Sequence, residues 1–170
     1  MRVIRPEPLT AAAFAAFGDV IEAEGAFELI NDGTSRRFAD LAKVDVASKG
    51  GRAQVSIYRA DPAALPFAIA MLERHPLSSQ LFMPLRRAPF LVVVAPAGEG
   101  IHSAAVCAFV TNGRQGINYR RGAWHHPLIA FGSASEFLVL DRAGEGRNCD
   151  EFNFDADALV LHPPEPPAKR

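Results

Sequence analysis

A mainly β domain made of many short strands, with one short helix near the N-terminus, is what this 170-residue sequence predicts. Three observations carry the expectation. Apolar residues come in brief runs rather than at helical spacing, and turn-forming residues separate those runs. A hydrophobic content of 49% over a length typical of one domain also supplies material for a single sizeable core. A sandwich or a barrel is the expected arrangement of such strands.

Taken in order, the first element is the helix. Thr10 can cap it, Phe14 and Phe17 share one face, and Gly18 can close it. Strand-like runs follow at Val20-Ile21, Phe27–Ile30, Val44–Val46, Gln54–Tyr58, Phe90–Val94, Val106–Val110 and Phe137–Leu140. Asn31-Asp32-Gly33 and Thr111-Asn112-Gly113 supply residues that tolerate positive φ, and Pro62, Pro66, Pro76, Pro84, Pro89 and Pro96 cut the middle into strand-length pieces. With no internal repeat, linker or charge block, residues 1–161 read as one domain. Residues 162–170, with four prolines, read as an extended tail.

Eighteen Lys and Arg balance nineteen Asp and Glu, a formal net charge of −1, which lacks the basic footprint of a nucleic-acid or anionic-membrane binder. The apolar runs Ala11–Phe17, Phe90–Ala95 and Ala104–Val110 fall far short of the ~20 residues of a spanning helix. Pro6, Glu7 and Pro8 interrupt the stretch that could imitate a secretory leader, so the mature chain is expected to start near Met1. Cys107 and Cys149 have neither metal-knuckle spacing nor disulfide density. They are expected to be reduced thiols in a cytoplasmic protein.

Chemistry concentrates in two places. Glu73 and His75 stand two apart, a spacing that puts both side chains on one face of a strand and Arg74 on the other. A carboxylate beside an imidazole suits metal ligation or proton transfer. His125 and His126 are adjacent, so an extended chain lets only one of them join Glu73 and His75. Asp141, Asn148 and Asp150 lack the regular spacing of a calcium loop and read as a polar turn. The carboxylates beside Cys149 are expected to raise its pKa, against a nucleophilic role.

The spacing Glu73-x-His75-x4-Gln80, followed by Gly122-x-x-His125, resembles the two motifs of the cupin barrel, in which HxH with a following Glu and a later GxxH place four ligands inside the barrel. Here Glu73 stands at the first His and Gln80 at the Glu; a glutamine amide is a neutral, weaker ligand that could instead orient a substrate. Longer strings extend the likeness: ERHPLSSQ (73–80), FVTNG (109–113), GINYRRGAWHHPL (116–128) and DRAGEGRNCDE (141–151), with Phe17–Ile21 and Ile30–Gly33 before them. Together they resemble the ureidoglycolate lyase family over nearly the whole chain.

That resemblance implies a cupin-type (RmlC-like jelly-roll) β-barrel, a homodimer, and cleavage of ureidoglycolate to glyoxylate and urea in allantoin and purine catabolism. The reaction needs the substrate hydroxyl deprotonated and the departing urea nitrogen protonated, and it consumes no water. Glu73, His75, His125 and Gln80 are the expected catalytic set. The same four are the expected ligands of a divalent metal, nickel or another transition metal, which would chelate the substrate carboxylate and hydroxyl; no organic cofactor is expected. Without metal, Glu73 or a histidine would be the base. Arg142 is the candidate for the substrate carboxylate, and Asn31 and Tyr119 for the ureido group. Two alternatives stay open: an amidohydrolase releasing ammonia, and a non-catalytic cupin that binds a small metabolite.

Overall fold

The protein is described by a computed structural model over residues 1–155 and 158–165. Its elements in chain order are β1 (Arg2–Ile4), β2 (Glu7–Pro8), α1 (Ala11–Phe14), β3 (Gly18–Ile21), β4 (Glu28–Ile30), β5 (Ser35–Arg37), β6 (Arg52–Ala60), β7 (Phe67–Ala68), β8 (Met71–Arg74), β9 (Gln80–Pro84), β10 (Phe90–Ala95), β11 (Cys107–Val110), β12 (Gly116–Tyr119), β13 (Trp124–His125), β14 (Ile129–Ala130), β15 (Ser135–Ala143), β16 (Asp150–Asn153) and β17 (Leu159–Leu161). Short strands dominate, and the fold is mainly β as the run lengths predict.

Three sheets make layers. The order β3-β12-β9-β15-β6 forms a five-stranded sheet, β16-β8-β13-β10-β11-β2 with β14 also on β10 forms a seven-stranded one, and β1-β17-β7 forms a third. β4 and β5 make a separate two-stranded hairpin. Strand β10, FLVVVA, is buried at every position because both of its faces are covered. Phe90, Val92 and Val94 pack with Phe82, Ile117, Tyr119, Phe137 and Val139 of the five-stranded sheet. Leu91, Val93 and Ala95 pack with Ile4, Leu72, Trp124, Leu159 and Leu161 on the other side. Each aliphatic side chain so buried stabilises the fold by roughly 1.5–3 kcal/mol.

Several expectations are corrected. The helix shrinks to a single turn, in which Thr10 Oγ1 accepts from the Ala13 amide at 3.2 Å and the rings of Phe14 and Phe17 lie 5.8 Å apart in the core. Gly18 does not close it: Gly18 sits in β3, where a Cβ would collide with the backbone carbonyl of Asn118. Val44–Val46 is no strand. Its backbone is held by side chains instead, the Asp45 amide donating to Ser79 Oγ at 2.9 Å and the Lys43 amide to Asp19 at 3.0 Å. Asp141 and Asp150 lie in β15 and β16 rather than in a polar turn. Among the described residues no ladder joins the edges of the two large sheets into a closed barrel. Of the expected tail, residues 162–165 carry no strand, and 166–170 lie outside the described residues.

Candidate active site

Strand pairing builds the site. β13 lies between β8 and β10, and its His125 is the cross-strand partner of Glu73. Opposite residues in a sheet project to the same face, so one ladder contact brings an imidazole against a carboxylate 52 positions away in sequence. A turn fixes the approach: Gly122 adopts φ 78°, a left-handed conformation, and its amide donates to the His75 carbonyl at 3.0 Å. Arg74 points the other way, its guanidinium bonded to Asp150 at 3.1 Å and stacked 4.7 Å over Trp124.

One ligand atom each from Glu73, His75 and His125 lies within 4.8 Å of the others. Both histidines are oriented from behind. His125 Nδ1 donates to the Ala123 carbonyl at 3.0 Å and His75 Nδ1 to the Asn148 carbonyl at 2.7 Å. A carbonyl only accepts, so each Nδ1 carries the hydrogen and each Nε2 presents a lone pair to the shared space. His125 Nε2 is 3.6 Å from Glu73 Oε1 and has no hydrogen-bond partner, although the residue is only 1% exposed. His75 Nε2 faces Gln80 Oε1 at 3.1 Å, lone pair toward lone pair unless the amide is turned. Gln80 itself stands in β9 opposite Tyr119.

The His125 contact holds Glu73 below the usual carboxylate range, against the opposing effect of its burial, and burial holds His125 below its ordinary value. The site is therefore an ionised carboxylate beside a neutral His125 at neutral pH. Tyr119 stacks on His125 with centroids 4.1 Å apart and planes 13° off parallel; burial raises its phenol, which stays protonated. Cys149 Sγ donates to Glu73 Oε2 at 3.7 Å, and its thiol is pushed up to about 11, first by burial and then by Glu73. It is a hydrogen-bond donor to the carboxylate, not a nucleophile.

A buried lone pair with no donor, aimed at a carboxylate and a second imidazole, fits a divalent transition metal. Glu73, His75 and His125 would hold it, with Gln80 alongside. The expected choice of His125 over His126 also agrees with the geometry. His126 turns to the opposite side, with its ring 5.5 Å from Phe67.

The other expected contacts divide. A cavity of about 350 Å³ next to the cluster is lined by His75, Gln80, Asp141, Arg142, Arg147 and Cys149 among others. Arg142 is in that wall, but its guanidinium donates to the carbonyls of Ser48, Lys49, Gly144 and Glu145, which makes it a clamp between two loops. Asn31 is not brought to the cluster. It lies at φ 53° in the exposed β4–β5 turn, and its amide donates to Ser35. Sequence reasoning missed the backbone carbonyls of Ala123 and Asn148, which carry no side-chain signal. It also missed the thiol of Cys149, which the β16–β8 pairing carries to Glu73.

The family model described as Ureidoglycolate lyase matches residues 1–161. A ureidoglycolate lyase of Burkholderia mallei (strain NCTC 10229) is 57% identical over 155 residues, covering 91% of this chain and 91% of the relative. One of Pseudomonas fluorescens (strain SBW25) is 53% identical over 165 residues, covering 96% and 99%. Among solved structures, RmlC from Streptococcus suis in complex with dTDP-D-xylose aligns with a TM-score of 0.46 at 12% identity, over 76% of this chain and 63% of that one. The chain belongs to the ureidoglycolate lyase family.

Proposed function

We propose that this protein cleaves ureidoglycolate to glyoxylate and urea, acting from residues 1–161 as a cytoplasmic homodimer whose two large sheets form an open cupin-type barrel. The observation that carries the reading is the orphaned Nε2 of His125 converging with Glu73 and His75 in a chain of this family. The free thiols Cys107 and Cys149 support a reducing compartment.

The ionised Glu73 is the proton acceptor for the substrate hydroxyl, kept in place by the thiol of Cys149. As that proton leaves, the electron pair of the O–H bond forms the glyoxylate carbonyl and the C–N bond breaks. The urea nitrogen takes up the proton that Glu73 accepted, which restores the carboxylate, and none of the atoms comes from water. His75 and Gln80 line the cavity side and orient the substrate, and the stacked Tyr119–His125 pair closes the wall behind it. A divalent metal on Glu73, His75, His125 and Gln80 would bind the substrate carboxylate and hydroxyl and lower the hydroxyl pKa. Arg142 lends positive potential from the wall. Arg147, bonded only through Nε, leaves its terminal nitrogens for the carboxylate at the mouth. Asn31 bears on the ureido group only if its hairpin reaches a site other than its own.

Product analysis tests the reading. Purified protein given ureidoglycolate should release urea and glyoxylate in equal amounts, faster than the substrate breaks down unaided. Ammonia in place of urea would make the protein an amidohydrolase, and binding without turnover a non-catalytic cupin.

A further inference from the structure

The cavity beside the cluster has two walls of different character. The seven-stranded sheet supplies Glu73 from β8 and His125 from β13, with His75 one residue past β8. The five-stranded sheet supplies the other wall. Along β15, alternation turns Phe137 and Val139 into the core, so Asp141, two residues further on, projects to the same inner face.

Register extends that position into a row. Gln54 of β6 is the cross-strand partner of Asp141, and one step past the Leu140–Leu81 pair Asp141 falls beside Gln80, which itself pairs with Tyr119. The neighbouring row, Val139–Phe82–Ile117, is wholly apolar and buried. Polarity therefore begins where the cavity begins.

Asp141 is the charged member of the Gln54–Asp141–Gln80–Tyr119 row, and it lines the cavity together with His75, Gln80 and Arg147. A carboxylate has about four acceptor positions, yet one oxygen of Asp141 receives only the Gln54 amide, at 3.4 Å. Among the described residues no arginine pairs with it: Arg142 gives its guanidinium to loop carbonyls and Arg147 pairs with Asp150. Most of its acceptor capacity is thus open. Tyr58 of β6 feels both carboxylates of this space, its phenol being held above the ordinary value first by burial and then by Asp141 and Glu73.

The cavity accordingly offers a guanidinium at its mouth and an underused carboxylate in its wall. A ureido acid carries the matching groups: a carboxylate at one end, and at the other nitrogens that only donate. We propose that Asp141 reads the ureido group, its open oxygen accepting from the terminal amino group while the substrate carboxylate lies on Arg147. The carbon bearing the hydroxyl then faces Glu73 and His75. Asp141 takes no part in proton transfer. Its effect is selective, because a molecule with a methyl group in place of the amino group leaves the carboxylate without a donor. The assignment rests on the ureidoglycolate reading, but its readout is binding rather than turnover, so the two can fail separately.

Calorimetric titration of the full chain with ureidoacetate and with N-acetylglycine tests it. Both lack the hydroxyl whose deprotonation starts cleavage, and they differ only in amino against methyl. Wild type should bind ureidoacetate roughly 10–100-fold more tightly than N-acetylglycine, the range of a hydrogen bond to a charged group. In Asp141→Ala the preference should shrink to a few-fold, through loss of ureidoacetate affinity with N-acetylglycine affinity unchanged. Asp141→Asn keeps one acceptor and should retain an intermediate preference, which carries the test if Asp141→Ala misfolds. Arg147→Ala should weaken both ligands alike, since both carry the carboxylate. A wild type that binds the two equally, or binds neither, overturns the proposal. So does a preference that survives intact in both Asp141 variants, or a loss in Asp141→Ala that is equal for the two ligands. A wild type that prefers ureidoacetate yet releases no urea from ureidoglycolate supports this role for Asp141 and overturns the lyase reading.

Discussion

From Asp19 to Ala68 the chain forms strands without fully burying a side chain, whereas from Ile69 to Arg142 it supplies most of both core clusters and the candidate site of Glu73, His75, Gln80 and His125. The two stretches have similar apolar vocabulary and opposite fates. In the second, each strand has a neighbour on at least one covered face, so alternation becomes core and site. In the first, β6 gains one ladder partner and the hairpin gains none outside itself. The site therefore rests on strands that are covered within the chain, whereas the exposed stretch leaves much of its apolar surface open.

The largest expected effect separates chemistry from packing inside the buried stretch. Replacing His125 or His75 with Ala should reduce turnover by about 10²–10⁴-fold, with native circular dichroism and loss of bound divalent metal by elemental analysis. His126→Ala should keep turnover within a few-fold and lower the midpoint instead, because its ring packs on Phe67. If His126→Ala were the inactive variant and His125→Ala the active one, the assignment of faces along β13 would be wrong by one residue.

Next in size is a contrast in stability between the two stretches. Phe137 is fully buried and packs edge-on against Phe90 at 5.2 Å, so Phe137→Ala should cost about 3–5 kcal/mol in urea unfolding. Val55→Ala on the exposed face should cost less than about 0.5 kcal/mol in dilute protein. If the proposed homodimer covers this face, its deficit should grow as concentration rises, because a buried subunit contact adds stability by mass action. A deficit for Val55→Ala that is large at every concentration would place Val55 in a core and erase the distinction between the stretches.

The same contrast explains how much was legible in the sequence. Runs such as Phe90–Val94 and Phe137–Leu140 announce strands because burial selects their composition. The pairing of Glu73, His75 and His125 was legible because strand alternation and the Gly122-x-x-His125 spacing both act locally. Val44–Val46 misled because apolar residues there are not held by a ladder; side chains of Asp19 and Ser79 hold that backbone. The role expected of Arg142 failed to anticipate its loop carbonyls, since nothing in its own neighbourhood shows that residues 48 and 49 return to it. Asn31 was expected at the cluster, but that inference needed the path of a hairpin whose course is fixed by tertiary placement. Contacts through backbone atoms, such as Asn148 to His75, have no sequence signature at all.

The smallest expected effects are in pH dependence, and they have opposite signs at the two ends of the scale. Burial depresses His125 below its ordinary 6.5, so on acidification the unfolded chain takes up a proton that the folded chain refuses. Stability is complete above that value and falls as pH drops below it; Glu73, held below its ordinary 4.5, adds a second loss further down. Urea midpoints of chelator-treated protein should therefore decline between neutral pH and pH 5, and His125→Gln should flatten the decline. At the alkaline end, burial raises the Tyr119 phenol above its ordinary 10.0. There the unfolded chain loses a proton that the folded chain keeps, so stability present below pH 10 is lost as pH rises past it. Tyr119→Phe should remove that alkaline loss and leave the acid limb untouched. An alkaline loss unchanged in Tyr119→Phe would assign it to other groups, such as the exposed Tyr58 on β6, and would mean that the ring stacked on His125 is open to water.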